Sequence, residues 1–452
     1  MTTEGCKLVW IDRPFIKFKT ALKFFGAIWF LCNSPMAHAA TSIEAYSDSA
    51  GPMVYAIEVT GNRLTSEVFI RREMRLKPGV RVTSQLLEED RLQLLSLGLF
   101  NRVKIEVRAE RDRAVVWVEV SEPFYLYPIP SLRVDTEKPK HKTLGMLIYH
   151  RNFRGYGEHL GGSFWVGSTR GLSLFHRDPW FSWGGKFGLG QRVYYAEDEA
   201  EDSIGNSVRR TFRGGVLDCR IRTGRRSWVD IETEWMSLTS PTQTYTMTPG
   251  DRDRVLILRN LWTVDHRDYW YYPTRGYYIN IAVMGNRVVD LPHNFYQERL
   301  DFRRYRSFKH FIIAGRLWGT VAQESLPPYY SLATSRSLVR AGKSYESRNG
   351  AIGVANLEIR FNLRKKRYYS FPWVPIFNRY LENLQFSIEG VVLADRGVGM
   401  DQQWKLVRDL DAFGAGLQFQ VPFLETVHIL AGWSSHSNLD HPSISIGEGV
   451  TF

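Results

Sequence analysis

Residues 356–363, which read NLEIRFNL, indicate the fold most clearly. Every second side chain in this stretch is apolar: Leu357, Ile359, Phe361 and Leu363. The side chains between them are polar: Asn356, Glu358, Arg360 and Asn362. Because successive side chains of a β-strand point to opposite faces, this alternation predicts a strand with one apolar and one polar face.

The same alternation recurs along most of the chain, in residues 277–283, 311–321, 384–392 and 413–421. We count about sixteen candidate strands in residues 124–452, at roughly 20 residues per strand and connection, which suits strands of ~9 to 11 residues that cross a bilayer. The pattern therefore predicts an all-β membrane protein with a 16-stranded antiparallel transmembrane β-barrel, since bacterial barrels have even strand numbers. A soluble sandwich, which hides its apolar face, is the alternative, and a single strand does not distinguish the two.

The composition favours the membrane barrel. The chain has 26 Phe, 22 Tyr and 14 Trp residues, a load that aromatic girdles at two membrane interfaces would explain. Mean hydropathy is −0.28. No stretch reaches the ~18 to 20 apolar residues that a transmembrane helix needs.

Residues 54–122 differ in character and predict a small domain of order β-α-α-β-β. Thr65 is the expected N-cap of a first helix that ends at the turn 77–79 (KPG), and Ser84 is the expected N-cap of a second helix. In the last predicted strand, Val116, Val118 and Val120 share one face.

The start of the chain predicts a secretory signal peptide at residues 1–39. A basic region (Lys17, Lys19 and Lys23) precedes an apolar run at 24–32, and cleavage is expected after Ala39 in the Ala-His-Ala sequence. A linker at 40–53, the small domain at 54–122 and the barrel at 123–452 would follow.

The net charge and the cysteine content indicate the environment in which the mature chain lies. Cleavage would remove Cys6 and Cys32 and leave Cys219, so no intrachain disulfide is expected. The formal net charge of the full sequence is +12 at pH 7. In a secreted chain this basic balance favours lipopolysaccharide or anionic lipid head groups as a partner, or a cationic barrel lumen, and not nucleic acid.

The last predicted strand ends on the aromatic residue Phe452, which we expect to act as the C-terminal assembly signal of the barrel. Glu448 breaks the apolar parity of this strand. A bulge at Gly447 or Gly449 is expected to re-aim its side chain. The alternative is a weak seam between the first and last strands.

Several segments together resemble a known family. The turns at 59–62 (VTGN) and 77–79 (KPG), and residues 97–100 (LGLF), occur in the order found in a POTRA domain. Residues 152–158 (NFRGYGE) and 265–276 (DHRDYWYYPTRG) resemble two barrel hairpins of the BamA/TamA/FhaC superfamily, also called the bacterial surface antigen family.

This resemblance implies a function, a location and partners. The protein would assemble or translocate polypeptide at the outer membrane of a Gram-negative bacterium, with the POTRA-like domain in the periplasm. Expected partners are an unfolded outer-membrane or secreted polypeptide, outer-membrane lipid and lipopolysaccharide, and periplasmic chaperones or lipoproteins. A passive channel, a lipid-handling barrel or a structural barrel is the alternative.

The resemblance also implies an anchor for a loop that folds into the lumen. In the family, an arginine on this loop pairs with acids of the barrel wall; the matching residues are Arg340, Glu358 and Asp395. Strand parity independently predicts that both acids face inward. Ala341 and Gly342 stand where the family has glycine and an aromatic residue.

No constellation predicts catalysis, a metal or a cofactor, and we expect that the protein is not an enzyme. No serine lies in a Gly-x-Ser-x-Gly frame. His436, Asp440 and His441 are close together in sequence, but in a polar hairpin they are expected to be ordinary loop residues.

Overall fold

The computed structural model describes residues 51–110, 113–134, 142–182, 185–201, 207–292, 294–334, 338–340, 345–373, 378–420, 426–434 and 443–448. Within these ranges, no helix has the length and apolar character that crossing a membrane requires.

The N-terminal domain has the predicted order β-α-α-β-β. Its elements are β1 (Met53–Thr60), α1 (Glu67–Glu73), α2 (Ser84–Ser96), β2 (Arg102–Glu110) and β3 (Arg113–Ser121). The three strands form a sheet of order β1-β3-β2, in which β1 is parallel and β2 antiparallel to β3. Val116, Val118 and Val120 are buried in this sheet, as their alternation predicted, together with Phe69 and Leu94 of the helices.

Both predicted helix caps are wrong by one residue. The first helix begins after Ser66, whose side chain makes no capping bond. The hydroxyl of Thr65 bonds Tyr125 and Asn152 instead of capping the helix. The second helix begins after Thr83, whose hydroxyl accepts the backbone N–H of Leu86 at 3.1 Å.

Most of the rest of the described chain forms a 16-stranded sheet, in which each strand pairs with the strand of the same sheet that comes next along the chain. The strands are antiparallel, and their bounds are β4 (Leu126–Val134), β5 (Lys142–Phe153), β6 (Glu158–Gly167), β7 (Arg170–Ser182), β8 (Phe187–Glu201), β9 (Ser207–Gly224), β10 (Ser227–Thr239), β11 (Arg252–Asp265), β12 (Gly276–Val288), β13 (Asn294–Ser307), β14 (Phe311–Ala322), β17 (Gly350–Tyr369), β18 (Leu384–Met400), β19 (Leu406–Gln420), β20 (Thr426–Trp433) and β21 (Ser443–Glu448). Between β14 and β17 lies a short hairpin of β15 (Leu332–Thr334) and β16 (Tyr345–Ser347).

The apolar face of the large sheet is the exposed one. On β17, Leu357 and Phe361 are 48% and 39% exposed, whereas Glu358 and Arg360 are 0% and 1% exposed. A soluble sandwich would show the reverse, because burial of apolar surface drives its folding. The sheet therefore has the apolar exterior and polar interior of a membrane barrel.

The expected bulge at Gly447 is wrong. The register of β20 and β21 is continuous from Gly432↔Ser443 to Val427↔Glu448. Gly449 lies outside the described residues.

Candidate functional site

The long connection between β14 and β17 packs against the inner wall of the barrel. Its side chains Leu326, Leu332 and Val339 are at most 3% exposed. They belong to an apolar cluster with inward-facing wall residues: Met236, Val255, Ile257, Ile352, Val354 and Leu410. We call residues 323–349 the lumen loop.

Two wall glycines fit closely against this loop. A Cβ added at Gly397 would lie 2.8 Å from Cγ2 of Val339, and one added at Gly399 would lie 2.3 Å from Cε1 of Tyr345. Because real Cβ atoms do not approach other atoms so closely, the loop and the wall are complementary in shape at these two positions.

The structure brings Arg340, Glu358 and Asp395 together. The backbone N–H of Arg340 donates to Asp395 Oδ2 at 2.8 Å, Nε donates to the same oxygen at 2.9 Å, and Nη2 donates to Oδ1 at 2.7 Å. Nη1 of Arg340 donates to Glu358 Oε2. The two acids thus take both edges of one guanidinium, a fork geometry that a lysine could not reproduce.

Strand register explains how the wall presents these acids. β17 and β18 are neighbours, and Asn356 pairs with Asp395 across them, with Glu358 two residues along the same face. Asn356 Nδ2 also donates to the backbone oxygen of Leu338 at 2.7 Å. Two adjacent strands therefore hold the loop at Leu338 and at Arg340.

The cluster is nearly closed to solvent, and its charges balance. Arg340 is 4% exposed, Glu358 0% and Asp395 5%. Arg360 adds a second cation, whose Nε donates to Glu358 Oε1 at 2.5 Å. Two guanidinium groups thus face two carboxylates, the condition under which buried charge is tolerated.

A contact path continues from this cluster towards the N-terminal domain. Arg360 Nη1 donates to the backbone oxygen of Pro273 at 3.3 Å, and its guanidinium lies 5.5 Å from the ring centroid of Tyr272. Tyr272 donates its hydroxyl to Glu389. In the same β11–β12 connection, the backbone N–H of Trp270 donates to Ser96 Oγ at 3.3 Å. Sequence reasoning marked this connection as a hairpin and missed its role in the path.

The N-terminal domain is hydrogen-bonded to the β5–β6 turn. The hydroxyl of Thr65 accepts from Asn152 Nδ2 at 2.9 Å and bonds the hydroxyl of Tyr125 at 2.9 Å. The backbone N–H of Ser66 donates to the backbone oxygen of Gly155 at 2.9 Å. Thr65 and Asn152 are 3% and 2% exposed, so this contact lies in the interior of the junction.

Further contacts reach other turns at the same end of the barrel. The ring of Trp180, on β7, lies between the guanidinium groups of Arg72 and Arg222, 3.9 and 3.8 Å from its centroid. Asn101 Nδ2 donates to the backbone oxygen of Tyr380 at 3.2 Å. The domain therefore contacts several turns around the end of the barrel opposite the lumen loop.

A cavity of about 620 Å³ lies at this junction. It is lined by residues of both parts: Arg75, Glu89, Leu92, Gln93, Arg225, Arg226, Ser227, His266, Asp268, Arg275 and Gly276. Beside it, Arg225 Nη2 lies 3.4 Å from Oδ1 of Asp90. Burial raises the pKa of Asp90, although its carboxylate accepts the backbone N–H groups of Arg75 and Leu76.

Several predicted residues lie outside the described ranges: Ala39, Ala341, Gly342, His436, Asp440, His441 and Phe452. The signal cleavage and the C-terminal assembly signal stay predictions. In the part of the chain that the structure describes, no group of three or more His, Cys, Asp or Glu residues is arranged to hold a metal ion.

Comparison with known proteins follows the same division of the chain. Residues 52–122 match the POTRA family model, described as surface antigen variable number repeat. BamA from Haemophilus ducreyi, in a form lacking POTRA domains 1–3, is 15% identical with a TM-score of 0.50, over 88% of this chain and 84% of that chain. CdiB from Escherichia coli is 12% identical with a TM-score of 0.54, over 87% of this chain and 75% of that chain. No curated protein matches this chain.

A POTRA domain docked on a 16-stranded β-barrel defines the class of this chain. Residues 52–122 match the POTRA family, and the chain has the overall fold of BamA and CdiB.

Proposed function

We propose that this protein is an outer-membrane assembly or translocation factor that accepts polypeptide through its POTRA domain and inserts it or passes it via the barrel. The observation that carries this proposal is the docking of the POTRA domain directly on the barrel end through Thr65 and Asn152. A polypeptide held by the domain would thereby be delivered to the barrel mouth. The shared fold with BamA and CdiB supports the same role.

The free edge of the POTRA sheet is the proposed receiving site. The sheet has two edge strands, β1 and β2. The edge of β1 is already occupied at its start. The backbone N–H of Val54 donates to the backbone oxygen of Val80 at 2.9 Å, and the backbone N–H of Gly79 donates to the backbone oxygen of Val54 at 2.8 Å. An extended polypeptide would therefore add to β2, in the manner of β-augmentation.

The lumen loop is the proposed movable plug, with Arg340, Glu358 and Asp395 as its anchor. Its apolar packing on the wall closes off space that a constitutive pore would need. This weighs against a passive channel, the alternative function. Folding of the substrate and burial of its apolar surface would drive the process.

The setting of this activity is the outer membrane of a Gram-negative bacterium, with the POTRA domain in the periplasm. Outer-membrane lipid and lipopolysaccharide would contact the exposed apolar face of the barrel. Periplasmic chaperones or lipoproteins would deliver the unfolded polypeptide.

Site-specific photocross-linking tests the receiving edge. A photoreactive amino acid would be placed at Glu106 on β2 and, as a matched control, at Glu58 on β1; both positions are exposed. With an unfolded outer-membrane barrel protein as the probe, we expect adducts at Glu106 and few at Glu58. Equal yields at the two positions would contradict β2 as the receiving edge.

Single-channel recording in planar bilayers distinguishes the proposed function from a passive channel. A plugged barrel should show rare, brief openings, and Arg340→Glu should lengthen them. A large steady conductance in the wild-type protein would favour the passive channel.

A further inference from the structure

The first barrel strand carries an unusual pair of residues. β4 reads LYPIPSLRV and contains Pro128 and Pro130. Proline has no backbone N–H and is confined within sheets to edges, strand starts and bulges. β4 is one end of the 16-stranded order, and β21 is the other end.

Hydrogen bonding fixes which way these prolines face. The backbone N–H of Arg151 donates to the backbone oxygen of Tyr125 at 2.9 Å, which sets the odd-numbered residues of this strand towards β5. The register from Leu126↔His150 to Val134↔Lys142 has no shift. Because backbone groups alternate in direction along an antiparallel strand, Pro128 and Pro130 face the opposite, free edge.

This free edge therefore lacks two neighbouring donors. Of the five residues that face it, 126, 128, 130, 132 and 134, the second and third have no N–H to give. Among the residues that the structure describes, no ladder joins β4 to β21. A strand placed beside β4 could donate to its carbonyl oxygens but would receive no hydrogen bond over residues 128–130.

The membrane increases the energetic effect of the two missing donors. Leu126 and Leu132, at the same parity, are 42% and 67% exposed on the apolar face, so this edge borders the lipid-facing surface. In hydrocarbon, an unpaired backbone N–H is costly because no water can satisfy it. A proline leaves no such group, so the prolines weaken the paired state and also make the unpaired state less unfavourable.

We propose that Pro128 and Pro130 close the free edge of β4 to strand addition, so that a polypeptide entering between β4 and β21 pairs with β21 and not with the centre of β4. This proposal rests on the proposed function in so far as it concerns a polypeptide substrate. Its structural part, the donor-poor edge, concerns this chain alone.

Hydrogen exchange in lipid nanodiscs tests the edge itself. The variant Pro128→Val/Pro130→Val restores two donors with apolar, strand-forming side chains, and Leu132→Val is the matched control that adds none. We expect amide exchange in residues 443–448 to slow on the order of tenfold in the double variant, as two added hydrogen bonds imply, and to be unchanged in the control. Heat-modifiable mobility on gels verifies that each variant is folded. If residues 443–448 of a folded double variant exchanged at the wild-type rate, the proposal would be overturned.

Disulfide trapping tests the substrate part. In a Cys219→Ser background, a cysteine would be placed at Leu132 on β4 or at Ser445 on β21. The probe is an unfolded outer-membrane barrel protein with one cysteine in its last strand. We expect cross-links at Ser445, and cross-links at Leu132 only after the prolines are replaced. Efficient wild-type cross-linking at Leu132 would overturn the proposal. Absence of cross-links at both positions, with exchange still slowed by the double variant, would refute the proposed function and leave the donor-poor edge standing.

Discussion

Removal of the Arg340 side chain should release the lumen loop. In Arg340→Ala, Asp395 loses both side-chain hydrogen bonds from the guanidinium, and Glu358 loses one. Breaking a buried ion pair by removing one partner costs about 3–5 kcal/mol, because a buried charge is left uncompensated. Glu358 keeps Arg360, so we expect the lower end of this range, about 3 kcal/mol, which corresponds to roughly a hundredfold larger population of released loop.

Limited proteolysis measures this release. Chymotrypsin is the suitable protease, because trypsin would lose a cleavage site with Arg340 itself. Its targets in the loop include Tyr329, Tyr330 and Tyr345. We expect cleavage there to accelerate strongly in Arg340→Ala and at least as much in Arg340→Glu, which adds a third carboxylate to the cluster.

Arg396→Ala is the matched control for this experiment. Arg396 is the residue next to Asp395, and it pairs with Asp409 at 2.9 Å on the outside, with its side chain 68% exposed. Exposed pairs contribute about 0–1 kcal/mol, so loop cleavage should stay at the wild-type rate. If Arg340→Ala and Arg340→Glu were cleaved no faster than this control, the anchor would be refuted.

Three further changes test the loop contact and the junction. Gly399→Leu should also accelerate chymotryptic cleavage of the lumen loop, since its side chain would displace Tyr345; an unchanged rate would contradict the close fit. Thr65→Val should raise amide exchange at the start of α1 by roughly five- to hundredfold, since a buried Asn152 donor left unpaired costs about 1–3 kcal/mol; Thr65→Ser, which keeps the hydroxyl, should not. Trp180→Ala should destabilise the docked POTRA domain by about 1–2 kcal/mol through loss of two cation–π contacts, whereas Trp180→Phe should retain most of this stabilisation. Equal amide exchange of α1 in the two variants would argue against these contacts.

The barrel was predictable because its signal is local. Alternation needs only neighbouring residues, and it correctly placed Glu358 on the inward face of its strand. Strand parity says which face a side chain takes, but not which loop residue meets it. The meeting of Arg340 with Glu358 and Asp395 was expected from the resemblance to a family, and not from composition or spacing.

The residues that sequence reasoning missed act over long separations. Thr65 was taken for a helix cap, but its hydroxyl bonds Asn152, 87 residues away in sequence. Arg360 contacts the connection at Tyr272 and Pro273, also 87 residues from the latter. No local pattern encodes such pairings, because they depend on which strands the barrel brings together.

The proposed role is tested most directly by timing substrate insertion. The purified protein would be placed in liposomes, an unfolded barrel protein added, and its folding followed by gel mobility against empty liposomes. We expect faster insertion with the wild-type protein, and an altered rate with Arg340→Glu. Folding at the lipid-only rate would contradict an insertase and leave, at most, a secretion pore for a dedicated polypeptide or a passive channel.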